Sequence, residues 1–171
     1  GSELFLPNGE LPEVKRPVYA SSPSLYRTSS VNYKSTPVDP NVGRFLSWPV
    51  GGASAISRGF FPGHYGMDIY PTGGKRPNVI AAAGGRVISA GWGSGKYYGF
   101  GYYAHVDHGN GYTTLYAHMS RLYVRAGQSV SRGTALGLIG DTGVAYGVHV
   151  HFELRRGAEL SGRMNPRPYM K

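Results

Sequence analysis

Glycine decides most of what this chain can become. Of its 171 residues, 27 are glycine and 12 are proline, so it is rich in turns and poor in long helices. From about Gly43 onward, short runs of alternating apolar residues stand between glycines. Val79–Ala81, Arg86–Ala90, Tyr102–Asp107, Tyr112–Tyr116, Thr134–Ile139 and His149–Arg155 all read as strands, since successive side chains on a strand face opposite ways. Asn110-Gly111, between two of these runs, predicts a two-residue hairpin whose type I′ turn needs positive φ at both central residues. No tandem repeat of fixed period is present. The pattern predicts an all-β protein with a largely antiparallel sheet or sandwich core.

The first 42 residues have a different texture. Pro7, Pro12, Pro17, Pro23, Pro37 and Pro40 fall between Ser-rich pieces, and no amphipathic period runs through them. Proline fixes φ and removes a backbone donor, so this stretch is expected to be extended or irregular. The chain therefore divides into a Pro/Ser-rich N-terminal segment, 1–42, and a domain, 43–171. Leu4, Phe5, Leu6, Tyr19, Leu25, Tyr26 and Tyr33 are candidate anchors of the segment on the domain. Gly1-Ser2 resembles what a cleaved expression tag leaves and is set aside.

Composition removes several function classes. Cysteine is absent, which excludes disulfide scaffolds, thiolate zinc fingers and cysteine nucleophiles. No apolar run approaches the ~20 residues of a membrane-spanning helix. The net charge of +9 attracts polyanions, whether nucleic acid, anionic lipid or anionic wall polymer. The basic residues are scattered and no nucleic-acid motif accompanies them, so no nucleic-acid partner is expected.

The chemistry-bearing residues are histidines and one aspartate. In a strand over His149–Arg155, Val150, Phe152 and Leu154 face the core, while His149, His151 and Glu153 share the other face. His-x-His alone is common and does not by itself mark a metal site. His64 and Asp68, in the glycine-bracketed stretch Gly63–Asp68, offer an imidazole nitrogen and a carboxylate oxygen, both ordinary zinc ligands. Two histidines and one aspartate leave a fourth position open, as a catalytic zinc site requires. His118 ends the strand after the hairpin, where an imidazole beside a metal can move a proton or support an oxyanion. His105 and His108 read as hydrogen-bonded structural histidines.

Taken in order, His64-x-x-x-Asp68, Tyr116-Ala117-His118 and His149-x-His151-Phe-Glu resemble the signature of the lysostaphin/LytM-type zinc endopeptidases. The stretches Val79–Val87, Asp107–His118, Gly127–Val130, Gly137–Gly143 and Asn165-Pro166 also look like that family, so the resemblance runs over roughly 59–169. It implies a groove along the zinc face of the β core. It implies Zn2+ held by His64, Asp68 and His151, with His118 and His149 as catalytic histidines that do not bind metal. The implied activity is hydrolysis of peptide bonds in bacterial peptidoglycan cross-links or stem peptides, in an exported or envelope-associated protein. The alternative is a catalytically silent wall-binding or regulatory module of the same fold. No His-Glu-x-x-His helix supplies a carboxylate base. Glu153 is expected to support His151 rather than to catalyse.

Two departures from the pattern stand out. Val148 and Val150 replace the commoner Pro and Leu around His149. No tyrosine lies between Tyr33 and Tyr65, where some members carry one that assists the oxyanion. The resemblance further implies that a residue of the N-terminal segment, Asn8, Asn32 or Asn41, could occupy the open metal position. Tyr97, Tyr98, Phe100, Tyr102 and Tyr146 are candidate groove-lining residues.

Overall fold

The computed structural model describes residues 29–30, 37 and 42–171. The anchors named above and Asn8, Asn32 and Asn41 lie outside these residues. Twelve strands follow one another along the chain: β1 Ser29–Ser30, β2 Ser54–Arg58, β3 Met67–Pro71, β4 Asn78–Ile80, β5 Gly85–Trp92, β6 Tyr102–Asp107, β7 Tyr112–Met119, β8 Arg121–Leu122, β9 Ser129–Val130, β10 Ala135–Leu138, β11 Val150–Arg156 and β12 Arg163–Met164. The helical elements among the described residues are single 3-10 turns at Gly95–Tyr97, Leu160–Gly162 and Arg167–Tyr169. None is long and apolar enough to cross a membrane. The all-β, antiparallel expectation holds.

The main sheet runs β1-β5-β6-β7-β11-β3-β2, with β12 added beside β11 and β9 beside β5. A three-stranded sheet, β4-β10-β8, is separate from it. All of these pairings are antiparallel. β1 pairs Ser29 and Ser30 with Ala90 and Ser89 at one edge of the sheet.

The period-2 reading of β11 places its core face correctly. Val150, Phe152 and Leu154 are fully buried in one apolar cluster with Met67, Ile69, Tyr116, Ala104 and Val106 from neighbouring strands and Val79 and Leu136 from the smaller sheet. Burial at about 25 cal/mol per Å2 of apolar surface makes this cluster the main favourable contribution to folding. The opposite face is also covered, which alternation alone does not reveal. Glu153 and Arg155 are as buried as the core. Tyr103, Leu115 and Ala117 form a second apolar cluster on that side, with Tyr97 and Phe100 packed against it.

The hairpin between β6 and β7 exists, but its turn differs from expectation. His108 N–H bonds Tyr112 C=O at 3.1 Å, which leaves three residues in the loop. Positive φ falls on Gly109 and Gly111, and not on Asn110. The Asn110 side chain instead accepts from Tyr112 N–H at 3.1 Å, and Asp107 accepts from Gly109 N–H at 3.2 Å. These local bonds favour the longer loop.

Candidate active site

The sequence-predicted residues converge at one end of the uncovered part of this face. Asp68 on β3 pairs directly with His151 on β11, so both side chains stand on one face, about 5 Å apart at Cβ. Asp68 therefore sits in a strand, although the glycines before it read as a loop. His64 is carried by the turn before β3, where Phe61 and His64 exchange backbone hydrogen bonds of 2.9 and 2.8 Å. Gly66 lets β3 approach β11, because a Cβ there would fall 2.6 Å from His151 Cε1.

His118 lies where the β6–β7 pairing slips between Tyr102 and Ala104. Among the described residues it is the one non-glycine with positive φ, at 63°. That conformation is uncommon outside glycine and clusters at functional sites. His149 sits just before β11, bridged to Gly140. The His118 and His149 rings lie 4.8 Å apart at 54°, and His64 and His151 lie 5.1 Å apart at 77°.

Each imidazole has one nitrogen fixed by an acceptor. Nδ1 of His64 lies 2.6 Å from Gly59 C=O, that of His118 2.8 Å from Thr142 C=O, and that of His149 3.0 Å from Gly147 C=O. A carbonyl only accepts, so Nδ1 carries the proton and, in each neutral ring, Nε2 keeps a lone pair. His151 is arranged the other way round. Its Nε2 lies 3.1 Å from Glu153 Oε1 and its Nδ1 2.7 Å from Asp68 Oδ1. The other Glu153 oxygen accepts from Arg155 Nε at 2.6 Å. Glu153 thus orients His151 and neutralises a buried guanidinium, as a supporting residue would.

The charges follow from this geometry. Burial disfavours a charged His151, but Asp68 and Glu153 outweigh it and hold its pKa up to about 9. Burial likewise opposes a charged Asp68, yet His151, through its hydrogen bond and charge, and the adjacent His64 keep it well below the ordinary carboxylate range. His118 is pushed down to about 3 by burial, then by the charges of His151 and His149, so it is neutral at pH 7.

The donor set fits a divalent metal. One ligand atom each from His64, Asp68 and His151 lie within 4.8 Å of one another. His64 Nε2 is buried, lies 3.0 Å from Asp68 Oδ2, and makes no hydrogen bond of adequate geometry. An orphaned buried nitrogen beside a carboxylate oxygen is what a ligand set looks like when its lone pairs are aimed at a common point. His64, Asp68 and His151 would hold such an ion, His151 through the Nδ1 that lies 2.7 Å from Asp68 Oδ1.

These residues line a cleft of about 470 Å3. Tyr98, Gly99, Phe100, Val144 and Tyr146 also line it, as do Ser57, Arg58 and Gly63. Phe100 stacks on His151, 5.8 Å away at 22°. Of the five aromatic candidates, Tyr98, Phe100 and Tyr146 line the cleft. Tyr97 instead stacks on Tyr103 at 4.4 Å, and Tyr102 is buried edge-on against Trp92 at 5.0 Å. Ser57, Arg58 and Val144 were not legible, because no motif marks them and a strand irregularity brings the first two to the site. His105 is fully buried, bonded to Tyr97 Oη (3.1 Å) and Thr113 Oγ1 (2.8 Å). His108 bonds Gly84 C=O (2.8 Å) and Thr114 Oγ1 (2.9 Å). Both are structural.

Residues 62–166 match the family model described as peptidase family M23. The peptidoglycan DD-endopeptidase ShyA of Vibrio cholerae is 50% identical over 54 residues, 32% of this chain and 13% of that protein. The murein hydrolase activator NlpD of Salmonella dublin is 32% identical over 143 residues, 83% of this chain and 35% of that one. Among solved structures, the antimicrobial peptidase lysostaphin from Staphylococcus simulans superposes with a TM-score of 0.61 at 26% identity, covering 68% of this chain and 49% of that one. The chain spans less than half the length of such relatives.

Proposed function

Since this chain belongs to peptidase family M23, we propose that it is a zinc-dependent endopeptidase hydrolysing peptide bonds of bacterial peptidoglycan cross-links or stem peptides, and that it works in the cell envelope. His64, Asp68 and His151 are the metal ligands in this reading. His118 and His149 are the catalytic histidines, and residues 43–171 are the catalytic domain. The observation that carries it is the convergence of all five side chains in one cleft, with tautomers fixed from outside. ShyA and NlpD, named for peptidoglycan and murein, support the substrate class and the envelope location.

When bound, zinc supplies Lewis acidity, which acidifies water and polarises a carbonyl. The chain's own residues supply the rest. His118, neutral and tied through Nδ1, presents Nε2 as the site that takes a proton from water. His149, tied the same way, presents Nε2 toward the same cleft, to support developing negative charge or to protonate the departing amine once it has gained a proton. Phe100 stacks on the His151 ring and helps hold it in place.

The test is zinc content combined with digestion of purified wall. His64→Ala and Asp68→Ala are expected to lose most of the metal. His118→Ala and His149→Ala are expected to keep it and to lose about 10²–10⁴-fold in rate. Full zinc retention in both ligand variants, or unchanged rates in both histidine variants, would overturn the reading. The similarity to the activator NlpD over most of this chain favours a second reading, a silent regulatory module. Zinc-loaded wild type that releases no fragments from any wall would establish it over the first.

A further inference from the structure

Arg58 stands in the cleft without a stated task. β2 and β3 pair in register from Ser54–Pro71 to Ile56–Ile69, and the register then shifts so that Arg58, not Ser57, lies opposite Asp68. Ser57 is the extra residue, and its hydroxyl donates to Asp68 C=O at 3.3 Å. A bulge of this kind re-aims a side chain beside a site. The result is one row across four strands: Arg58, Asp68, His151 and Ala117 are directly paired in succession. Directly paired residues share a face, with Cβ atoms about 5 Å apart. Arg58 is therefore one strand away from the proposed ligands and lines the same cleft.

The guanidinium is held but not neutralised. It lies 5.8 Å from the centre of the Phe61 ring, which is itself 5.4 Å from the His64 ring. Among the described residues no carboxylate lies within ion-pair distance of it, although other exposed cations such as Arg76 and Lys96 have one. Asp68 is the sole carboxylate lining the cleft, and it is already engaged by His64 and His151. Arginine presents a planar fork of donors that matches a carboxylate, and stacking on an aromatic ring pre-orients it.

We propose that Arg58 is a specificity-determining residue that binds a carboxylate of the substrate peptide close to the scissile amide, so that the cleft selects anionic stem peptides over neutral, glycine-only bridges. An extended peptide rises ~3.4 Å per residue. From the row beside the ligands, Arg58 therefore meets the residue next to the scissile bond or one beyond it. The inference deepens the endopeptidase reading and rests on it for the identity of the substrate. Its binding step does not require turnover.

The experiment uses the zinc-loaded chain and two fluorescein-labelled stem peptides, one with free side-chain carboxylates and one with carboxamides in their place. Anisotropy at low salt is expected to show the free-acid peptide binding about fivefold tighter, the worth of a good exposed charge pair. That preference should shrink as salt is raised. Arg58→Gln, at an exposed position, should bind both peptides alike, and Arg58→Lys should keep part of the preference. No preference in the wild type, a preference that survives Arg58→Gln, or an equal loss on both peptides would each overturn the proposal. The last outcome would mark a role in oxyanion support or structure. Hydrolysis of the two peptides separates the readings. A binding preference without cleavage sinks the endopeptidase reading alone, whereas cleavage of both at equal kcat/KM with no binding preference sinks this inference alone.

Discussion

His105 shows how much of a residue's behaviour is set by what covers it. It sits mid-strand on β6, on the face it shares with Tyr103 and Asp107, and it is completely buried, between Tyr97 Oη and Thr113 Oγ1. Burial, followed by the charges of Arg155 and Lys96, pushes its pKa well below the usual value of 6.5. The folded state thus disfavours the proton while the unfolded state accepts it near pH 6.5. Below that pH the unfolded chain binds more protons, so stability must fall as pH falls, by up to ~1.4 kcal/mol per unit for one group. Urea unfolding between pH 7 and pH 5 is expected to show this decline, and His105→Gln should remove about one proton's worth of the slope. An identical slope in the variant would show that His105 titrates normally. The candidate ligands were legible at this scale, since His64, Asp68 and His151 are the right types in the right order. The buried Glu153–Arg155 pair was not, because strand alternation places both on a face that a sequence reads as solvated.

At the scale of elements, the site depends on strands meeting at fixed separations. β3 and β11 pair through only Val150–Ile69, His151–Asp68 and Phe152–Met67, and Gly66 stands at the entrance to that pairing. A methyl group there would lie 2.6 and 2.7 Å from His151 Cε1 and Nε2 and 2.9 Å from Phe152 C=O. Gly66→Ala is therefore expected to push His151 off its Glu153 partner, at a cost of about 1–3 kcal/mol in stability, with weaker zinc retention. Thermal unfolding and metal analysis check this together; a variant with unchanged melting point and zinc content would show that β3 can yield. The loop from β5 to β6 has a matching part. It lays Tyr97 and Phe100 over the second apolar cluster, and Phe100 reaches His151. The runs that read as strands correspond to β4, β5, β6, β7, β10 and β11. β2 and β3 were not read as strands, because each is only five residues long and flanked by glycines, and a bulge breaks the period of β2.

For the molecule as a whole, the site is an attachment to a core that does not need it. The main apolar cluster draws on both sheets and on Leu46, Val50 and Met170 outside them, and none of the five site residues belongs to it. Without metal, Asp68 retains His151 and His64 as partners, so no bare carboxylate is left buried. Chelation is accordingly expected to lower the melting temperature while leaving a cooperative transition, unlike a zinc finger, which unfolds. Restored zinc should stabilise by ~1.4 kcal/mol for each tenfold excess over its Kd. Circular dichroism melts with chelator and with zinc returned test this. Loss of all β signal at 25 °C in the chelated protein would show that the fold depends on the metal.

Sequence by itself determined the class of fold, the core face of β11 and the identity of the candidate site residues. Those follow from local rules, namely the period of two along a strand, the φ that glycine permits and the chemistry of each ligand type. Tertiary structure alone decided which nitrogen of each imidazole is free, that His118 adopts positive φ, that Glu153 and Arg155 are sealed away from water, and that a one-residue bulge brings Arg58 into line with Asp68. Most of these depend on a partner distant in sequence, such as Thr142 for His118 and Asp68 for Arg58. No periodicity within a short window encodes such a partner.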